Sequence, residues 1–278
     1  MHKLSVIVFA CFYGGSLFAE VADFEKPPSR MKARITEYWD EDDKNPTVQY
    51  FDRKVTETFD DRGDLVNKEL SDSTGKTEKL IYKHIYGDDG QIKERLEIDD
   101  KGKTLERWTY KRDVDGNLEI EQRIILATGD LLYISRFDKK GLLKEWECAQ
   151  CRGSKTKIVN HYSDDGVLKK SEEVIEGKIR NTTDFEYDKD GKLRRATTVN
   201  HMGYLSAESS YNLAGDLEER AVYDYYGGEV VAKLAHEYTY DKDGRITEDE
   251  WMDSKIEKRA LALKRGHVLY QYEFYEKK

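Results

Sequence analysis

The chain has 278 residues, with 47 Lys and Arg against 56 Asp and Glu, a formal net charge of −9. Hydrophobic residues make up 38 % and charged residues 37 %, against typical shares of about 45–50 % and 25 %. The charges of both signs are intermixed, which leaves no basic footprint for a nucleic acid. Segments such as 192–197 and 216–221 also lack the alternating lipid-facing apolar positions of a membrane-spanning barrel.

Residues 1–19 read as a signal peptide. Met1-His2-Lys3 is a short basic start, an apolar stretch runs from Leu4 to Ala19, and Glu20 follows. The stretch is too short to span a bilayer, and no transmembrane span is expected once it is removed. Its loss takes Lys3 away and leaves a mature net charge of −10. Val8-Phe9-Ala10-Cys11 is a loose lipobox, so a lipoprotein held through Cys11 is the alternative to soluble export. Either route leads to the periplasm or the cell surface. Residues 20–48, with Pro27-Pro28 and an acidic patch at 40–44, read as a lead-in segment.

From residue 49 to 278 one pattern repeats. Turn glycines stand at Gly63, Gly90, Gly116, Gly141, Gly166, Gly191, Gly215 and Gly244. Each is followed two residues later by Leu or Ile: Leu65, Ile92, Leu118, Leu143, Leu168, Leu193, Leu217 and Ile246. Four residues before seven of them is an aromatic: Phe59, Tyr86, Phe137, Tyr162, Tyr187, Tyr211 and Tyr240. Arg112 takes that place in the eighth, with Tyr110 as the alternative aromatic. The spacing of 24 to 29 residues marks a repeat architecture. Aromatic-Asp-x-Asp-Gly-x-Leu has the chemistry of a three-residue hairpin loop, a type I turn whose third residue is a left-handed glycine. Asp60, Asp113, Asp138, Asp188 and Asp241 stand where a carboxylate accepts the turn amides. The aromatic and the aliphatic then form a cross-strand pair on one face.

Weaker turns at Gly75, Gly102, Gly129, Gly153, Gly177, Gly203 and Gly228 halve the period to one strand and one turn. Pro27, Pro28 and Pro46 all precede the repeats, as an uninterrupted ladder requires. Two residues past the Leu/Ile stripe the chain turns polar, at Glu94, Glu145, Lys170, Arg195, Glu219 and Glu248. On strict alternation these share the stripe's face, so a narrow core carried by aromatics is expected. The fold expected is all-β, an elongated antiparallel meander of hairpins in a single curved sheet. A closed barrel or flattened sandwich is the alternative. Residues 255–265 read as a short helix or a strand, and the alternation of Val268, Tyr270, Tyr272 and Phe274 as a last, capping strand.

Few residues suggest chemistry. Cys148 and Cys151 are expected to form a local disulfide in an oxidising compartment. A zinc site would need two more ligands, with His161 alone nearby, and a redox site a thioredoxin-like context. Asp241, Asp243, Gly244 and Ile246 also fit part of a calcium loop ending at Glu250, but hairpin turns explain every copy at once. His84, His161, His201, His236 and His267 show no paired metal spacing. No catalytic set and no cofactor site is read.

Phe185-Glu-Tyr-Asp-Lys-Asp-Gly-Lys-Leu193 and Tyr238-Thr-Tyr-Asp-Lys-Asp-Gly-Arg-Ile-Thr247 resemble the YD repeats of bacterial Rhs and teneurin-like proteins. Looser similarity exists to the MORN-variant repeats of YwqK-like proteins. The resemblance covers roughly residues 55–250 and implies strand–turn repetition and export. In that family such repeats build a shell around a toxin domain, for which this chain is too short. The function expected is an exported envelope or surface module that binds a protein or glycan without catalysis. The alternative is an inhibitor or immunity-like protein that binds a secreted effector.

Overall fold

The structure, a computed structural model, describes residues 31–42, 48–149, 154–257 and 260–275. The signal segment, Cys11, Cys151 and Gly153 lie outside the described residues. The strands are β1 (Met31–Glu41), β2 (Gln49–Phe59), β3 (Leu65–Asp72), β4 (Thr77–Tyr86), β5 (Ile92–Asp99), β6 (Thr104–Arg112), β7 (Leu118–Ile125), β8 (Asp130–Phe137) and β9 (Leu143–Cys148). They continue as β10 (Thr156–Tyr162), β11 (Leu168–Ile175), β12 (Lys178–Tyr187), β13 (Leu193–Asn200), β14 (Leu205–Tyr211), β15 (Leu217–Tyr223), β16 (Val230–Tyr240), β17 (Ile246–Glu257) and β18 (Ala260–Phe274).

The glycine turns fold as their chemistry dictates. The Asp60 carbonyl accepts from the Gly63 amide at 3.1 Å, and the Asp60 amide donates to the Asp64 carbonyl at 2.9 Å. The Asp60 carboxylate accepts from the amides of Arg62 and Asp64, both at 2.9 Å. The same pair of side-chain bonds recurs at Asp113, Asp138, Asp188 and Asp241. All eight strong-turn glycines hold φ between 74° and 96°, a region where a Cβ is strained. Of the weaker turns, the one after β15 is bent at Gly227 (φ 72°) rather than Gly228.

The seven expected aromatic–aliphatic pairs form, from Phe59 with Leu65 to Tyr240 with Ile246, and in the eighth hairpin Arg112 pairs with Leu118. The register then shifts by one residue at every strong hairpin. Tyr187 faces Leu193, yet Glu186 faces Arg195 and Phe185 faces Ala196. The bulge corrects the expected narrow core. Glu94, Glu145, Lys170, Arg195, Glu219 and Glu248 leave the stripe's face, and the fifth residue after each glycine, such as Ala196, Ser171 and Trp146, joins it. Thr183 and Thr198 extend the same face one pair further.

The meander closes. β1 pairs with β2 on one side and β18 on the other, so Thr36 stands beside both Val55 and Tyr270. Among the described residues eighteen antiparallel strands make one sheet without a free edge. The closed barrel, left as an alternative by the sequence, is the architecture, in place of an open, elongated sheet. β1 lies within the segment expected to be a lead-in, which corrects the sheet's start from residue 49 to Met31. It carries no glycine turn, but it satisfies the edges of β2 and β18 together. Residues 260–274 form one strand rather than a helix.

The core lies on the concave face. Phe185, Ala196 and Tyr211 pack with Leu168, Tyr187, Leu193 and Leu217, and Thr36, Val55, Trp108, Ser135, Thr183 and Ser209 are buried on the same side of the sheet. Inward aromatics also lock hairpin to hairpin. The hydroxyls of Tyr162, Tyr238 and Tyr272 donate to the carbonyls of Leu143, Leu217 and Ile246, each at 2.8 Å. Those acceptors are the residues at the bulges of the preceding hairpins, where the ladder is interrupted. The outer face is a charge lattice, with Glu145 between Arg136 and Lys157, and with the pairs Arg195–Glu208 and Lys233–Glu219.

Candidate binding surface at the aromatic turns

Most tyrosines are explained by the core and its locks. Those at two neighbouring turns are not. The turn from β13 to β14 presents His201, Met202 and Tyr204, and the turn from β15 to β16 presents Tyr225 and Tyr226. Met202 is 59 % exposed, Tyr225 50 % and Tyr226 70 %.

Backbone chemistry sets this surface. The Asn200 side-chain oxygen accepts from the amides of Met202 and Tyr204 at 3.0 and 3.1 Å. Its amide nitrogen donates to the Tyr225 carbonyl at 2.8 Å and ties the two turns together. At Gly227 a Cβ would lie 2.9 Å from the backbone N and O of Leu205, so only glycine lets the second turn lie this close to β14. The rings then meet edge to face, Tyr225 with Tyr226 at 5.4 Å and Tyr204 with Tyr226 at 5.9 Å, while His201 lies 6.2 Å from Tyr225. Such a cluster offers apolar ring surface and hydroxyl tips to a ligand. An exposed contiguous aromatic patch of this kind is a common mark of an interaction site.

The sequence reading did not single out these residues. Their signal was Tyr225-Tyr226-Gly227-Gly228, two aromatics inside a turn rather than four residues before its glycine.

The residues that were singled out are placed differently. Cys148 is 1 % exposed at the inner end of β9. His161 contacts Glu172 at 3.2 Å, on the opposite face of the sheet from Cys148, so the two do not share a metal site. The Asp241 carboxylate is taken up by the amides of Asp243 and Arg245 and by the Arg245 side chain, and Glu250 lies along β17, away from that turn. Among the described residues no group of three or more His, Cys, Asp or Glu is placed to hold a metal ion.

His236 and Asp249 meet on the inner face, Nδ1 to Oδ1 at 2.8 Å, with the Tyr238 ring stacked on the imidazole at 5.6 Å. The strand positions facing them are Trp251, Tyr238 and Val268, none of which is a Ser or Cys nucleophile. A cavity of about 10 Å³ between Ile158, Ser171, Glu173, Asn181, Thr183, Thr198 and Arg220 has room for one water.

One rim of the barrel is acidic. The eight strong turns, each taken as the glycine with three residues before and one after it, carry fifteen aspartates against seven lysines and arginines. They share one rim, and the aromatic turns stand on the other. Among the described residues no helix is long and apolar enough to cross a membrane.

No family model matches the chain, and no curated protein matches it. Among solved structures it is similar to a porin-like protein from Bacteroides uniformis, at 12 % identity and a TM-score of 0.48, over 87 % of this chain and 98 % of that one. It is also similar to TcdB2-TccC3, at 12 % identity and a TM-score of 0.38, over 81 % of this chain and 14 % of that one.

Proposed function

We propose that this chain is an exported bacterial envelope protein, a water-facing β-barrel of YD-type hairpins that binds a protein or glycan through its aromatic turns. The observation that carries this reading is the exposed Tyr204, Tyr225 and Tyr226 cluster, which the fold does not use for its core. The signal-like residues 1–19 support export. The outer face supports a barrel that stands in water rather than in lipid. Apolar outward positions such as Ile81 and Ile120 alternate with or face Lys83, Lys111 and Arg136, and a basic side chain at the bilayer midplane costs about 2–4 kcal/mol.

The test is capture of envelope components, purified glycan and protein fractions separately, by the wild type and by Tyr225→Ser/Tyr226→Ser. Loss of capture with an unchanged circular-dichroism spectrum and melting temperature supports the reading. Equal capture by both chains removes the aromatic turns as the site. A second reading, an inhibitor that binds a basic secreted effector, rests on the acidic rim. It requires salt-sensitive binding that survives the Tyr225/Tyr226 change and weakens when rim aspartates outside the turn bonds are neutralised.

A further inference from the structure

The weak turns do on the outer face what the strong turns do on the inner one. Thr198 and Ala207 pair on the inner face, the register shifts, and Val199 then pairs with Leu205 on the outer face. The same shift sets Val174 against Ile179, Tyr223 against Val230 and Ile124 against Leu131, each beside an inward pair. At the β1–β2 connection Trp39 pairs with Phe51, their rings meeting edge to face at 5.4 Å. Ile98 continues the series opposite Thr104, and Ser71 with Thr77 is the polar exception among the described turns. Apolar positions thus face outward on most sides of the barrel, all at the rim that carries the aromatic turns.

The ring is shallow. The next outward pairs are Glu172–Thr182, Thr197–Glu208 and Ala221–Lys233. Glu172, Glu208 and Lys233 are ion-paired with Lys170, Arg195 and Glu219. At about 3.3 Å per residue this charged lattice begins about 7 Å behind the apolar pairs. A ring that narrow cannot carry the barrel through hydrocarbon about 30 Å thick. It does match the depth of about 5–10 Å to which an interfacial apolar face sinks.

Its shape selects the partner. A protein covers one side of a barrel, whereas a lipid leaflet touches every side of a rim pressed into it. Trp and Tyr, as at Trp39, Tyr204 and Tyr226, are the residues enriched where a membrane meets water. The charges agree. Counted as for the acidic rim, the turns at Gly75, Gly102, Gly129, Gly177, Gly203 and Gly227 carry six acidic and four basic residues. The exposed side chains of Lys101, Lys103 and Lys178 pair with no described carboxylate, which leaves them for lipid phosphates, while the aspartate-rich rim faces away. We propose that the barrel seats this rim in one leaflet of a membrane and keeps the rest of its outer face in water. The seat goes beyond the protein or glycan ligand proposed above, because it needs the ring rather than the tyrosine cluster.

The experiment is flotation with vesicles of phosphatidylethanolamine and phosphatidylglycerol. The protein is the chain as the cell processes it, in a Cys11→Ser background so that no acyl chain contributes. Leu126, in the β7–β8 turn, and Ile179 are 37 % and 47 % exposed and lie outside the tyrosine cluster. Wild type should float, and Leu126→Asp/Ile179→Asp should lower the vesicle-bound fraction about tenfold or more, with an unchanged melting temperature. Tryptophan emission needs no variant. Trp108, Trp146 and Trp251 face inward, so quenching by lipids brominated in the acyl chain reads Trp39.

The proposal fails if the wild type does not float, if the variant floats equally, or if brominated lipids leave the emission unchanged. A vesicle-free dimer that the variant splits would assign the ring to a second copy instead. Failure here leaves a ligand at Tyr225 and Tyr226 standing, and equal capture by Tyr225→Ser/Tyr226→Ser leaves the membrane seat standing.

Discussion

Gly266→Ala should open the seam where the barrel closes. Gly266 lies on β18, opposite Trp251 of β17 and Asp40 of β1. A Cβ built there falls 2.3 Å from the Trp39 carbonyl oxygen and 2.7 and 2.8 Å from two atoms of the Trp251 ring. The ring can shift, but the Trp39 carbonyl belongs to the β1 backbone. Restoring contact distance means pulling β1 away from β18. Overpacking of a tight interior costs about 1–3 kcal/mol, and a clash with backbone belongs at the top of that range, about 3 kcal/mol. For a chain of this length that lowers Tm by about 5 °C.

Urea and thermal unfolding of Gly266→Ala measure this directly. Adding Trp251→Ala should recover the share of the loss due to the ring and leave the share due to the Trp39 carbonyl. A Gly266→Ala chain within about 0.5 kcal/mol of wild type would refute the close approach of β1, β17 and β18.

Three further outcomes are expected. Tyr162→Phe removes one of the two side-chain donors of the buried Leu143 carbonyl and leaves the Asn160 amide nitrogen at 2.9 Å, and should cost about 0.5 kcal/mol in urea unfolding; no change in Tyr162→Phe combined with Asn160→Ala beyond that of Asn160→Ala alone would mean that the hairpin lock does not stabilise the barrel. The Asp188 and Asp241 carboxyls are held below their ordinary value of 3.8, chiefly by the backbone amides of Lys192 and Arg245. Their contribution is present above that value and lost as pH falls through the folded one. Unfolding below about pH 4 should therefore accelerate in the wild type and less so in Asp188→Asn/Asp241→Asn. Peptide mapping without reductant should recover a Cys148–Cys151 cross-link whose reduction lowers stability by about 2 kcal/mol, the loop-closure value for so short a loop; two free thiols would contradict it.

The hairpins were legible in the sequence because their chemistry is local. A left-handed glycine, an aspartate that binds turn amides and a fixed aromatic–aliphatic pair can each be read within seven residues, and Tyr187–Leu193 and Tyr240–Ile246 stand where that reading puts them. The bulge after each aliphatic was not legible, since no residue type marks it. Missing it turned Arg195 inward and Ala196 outward on paper. Closure was out of reach for another reason. β1 and β18 are paired across almost the whole chain, from Ala33 with Glu273 to Asp40 with Gly266, and nothing in either segment names the other. The aromatic turns escaped because Tyr225 and Tyr226 fall off the repeat's register, where an exposed ring contributes nothing to the fold.

The central claim is the closed barrel, and the most direct measurement is residue-resolved amide hydrogen exchange across β1 and β18. In a closed barrel each strand has a partner on both sides, so the amides of residues 33–40 and 264–272 should be protected without alternation, as in β12 and β13. In an open meander β1 and β18 are edges, and every second amide, pointing away from its one partner, exchanges quickly. Uniform slow exchange is the result this account predicts. An alternating fast pattern along β1 would contradict it.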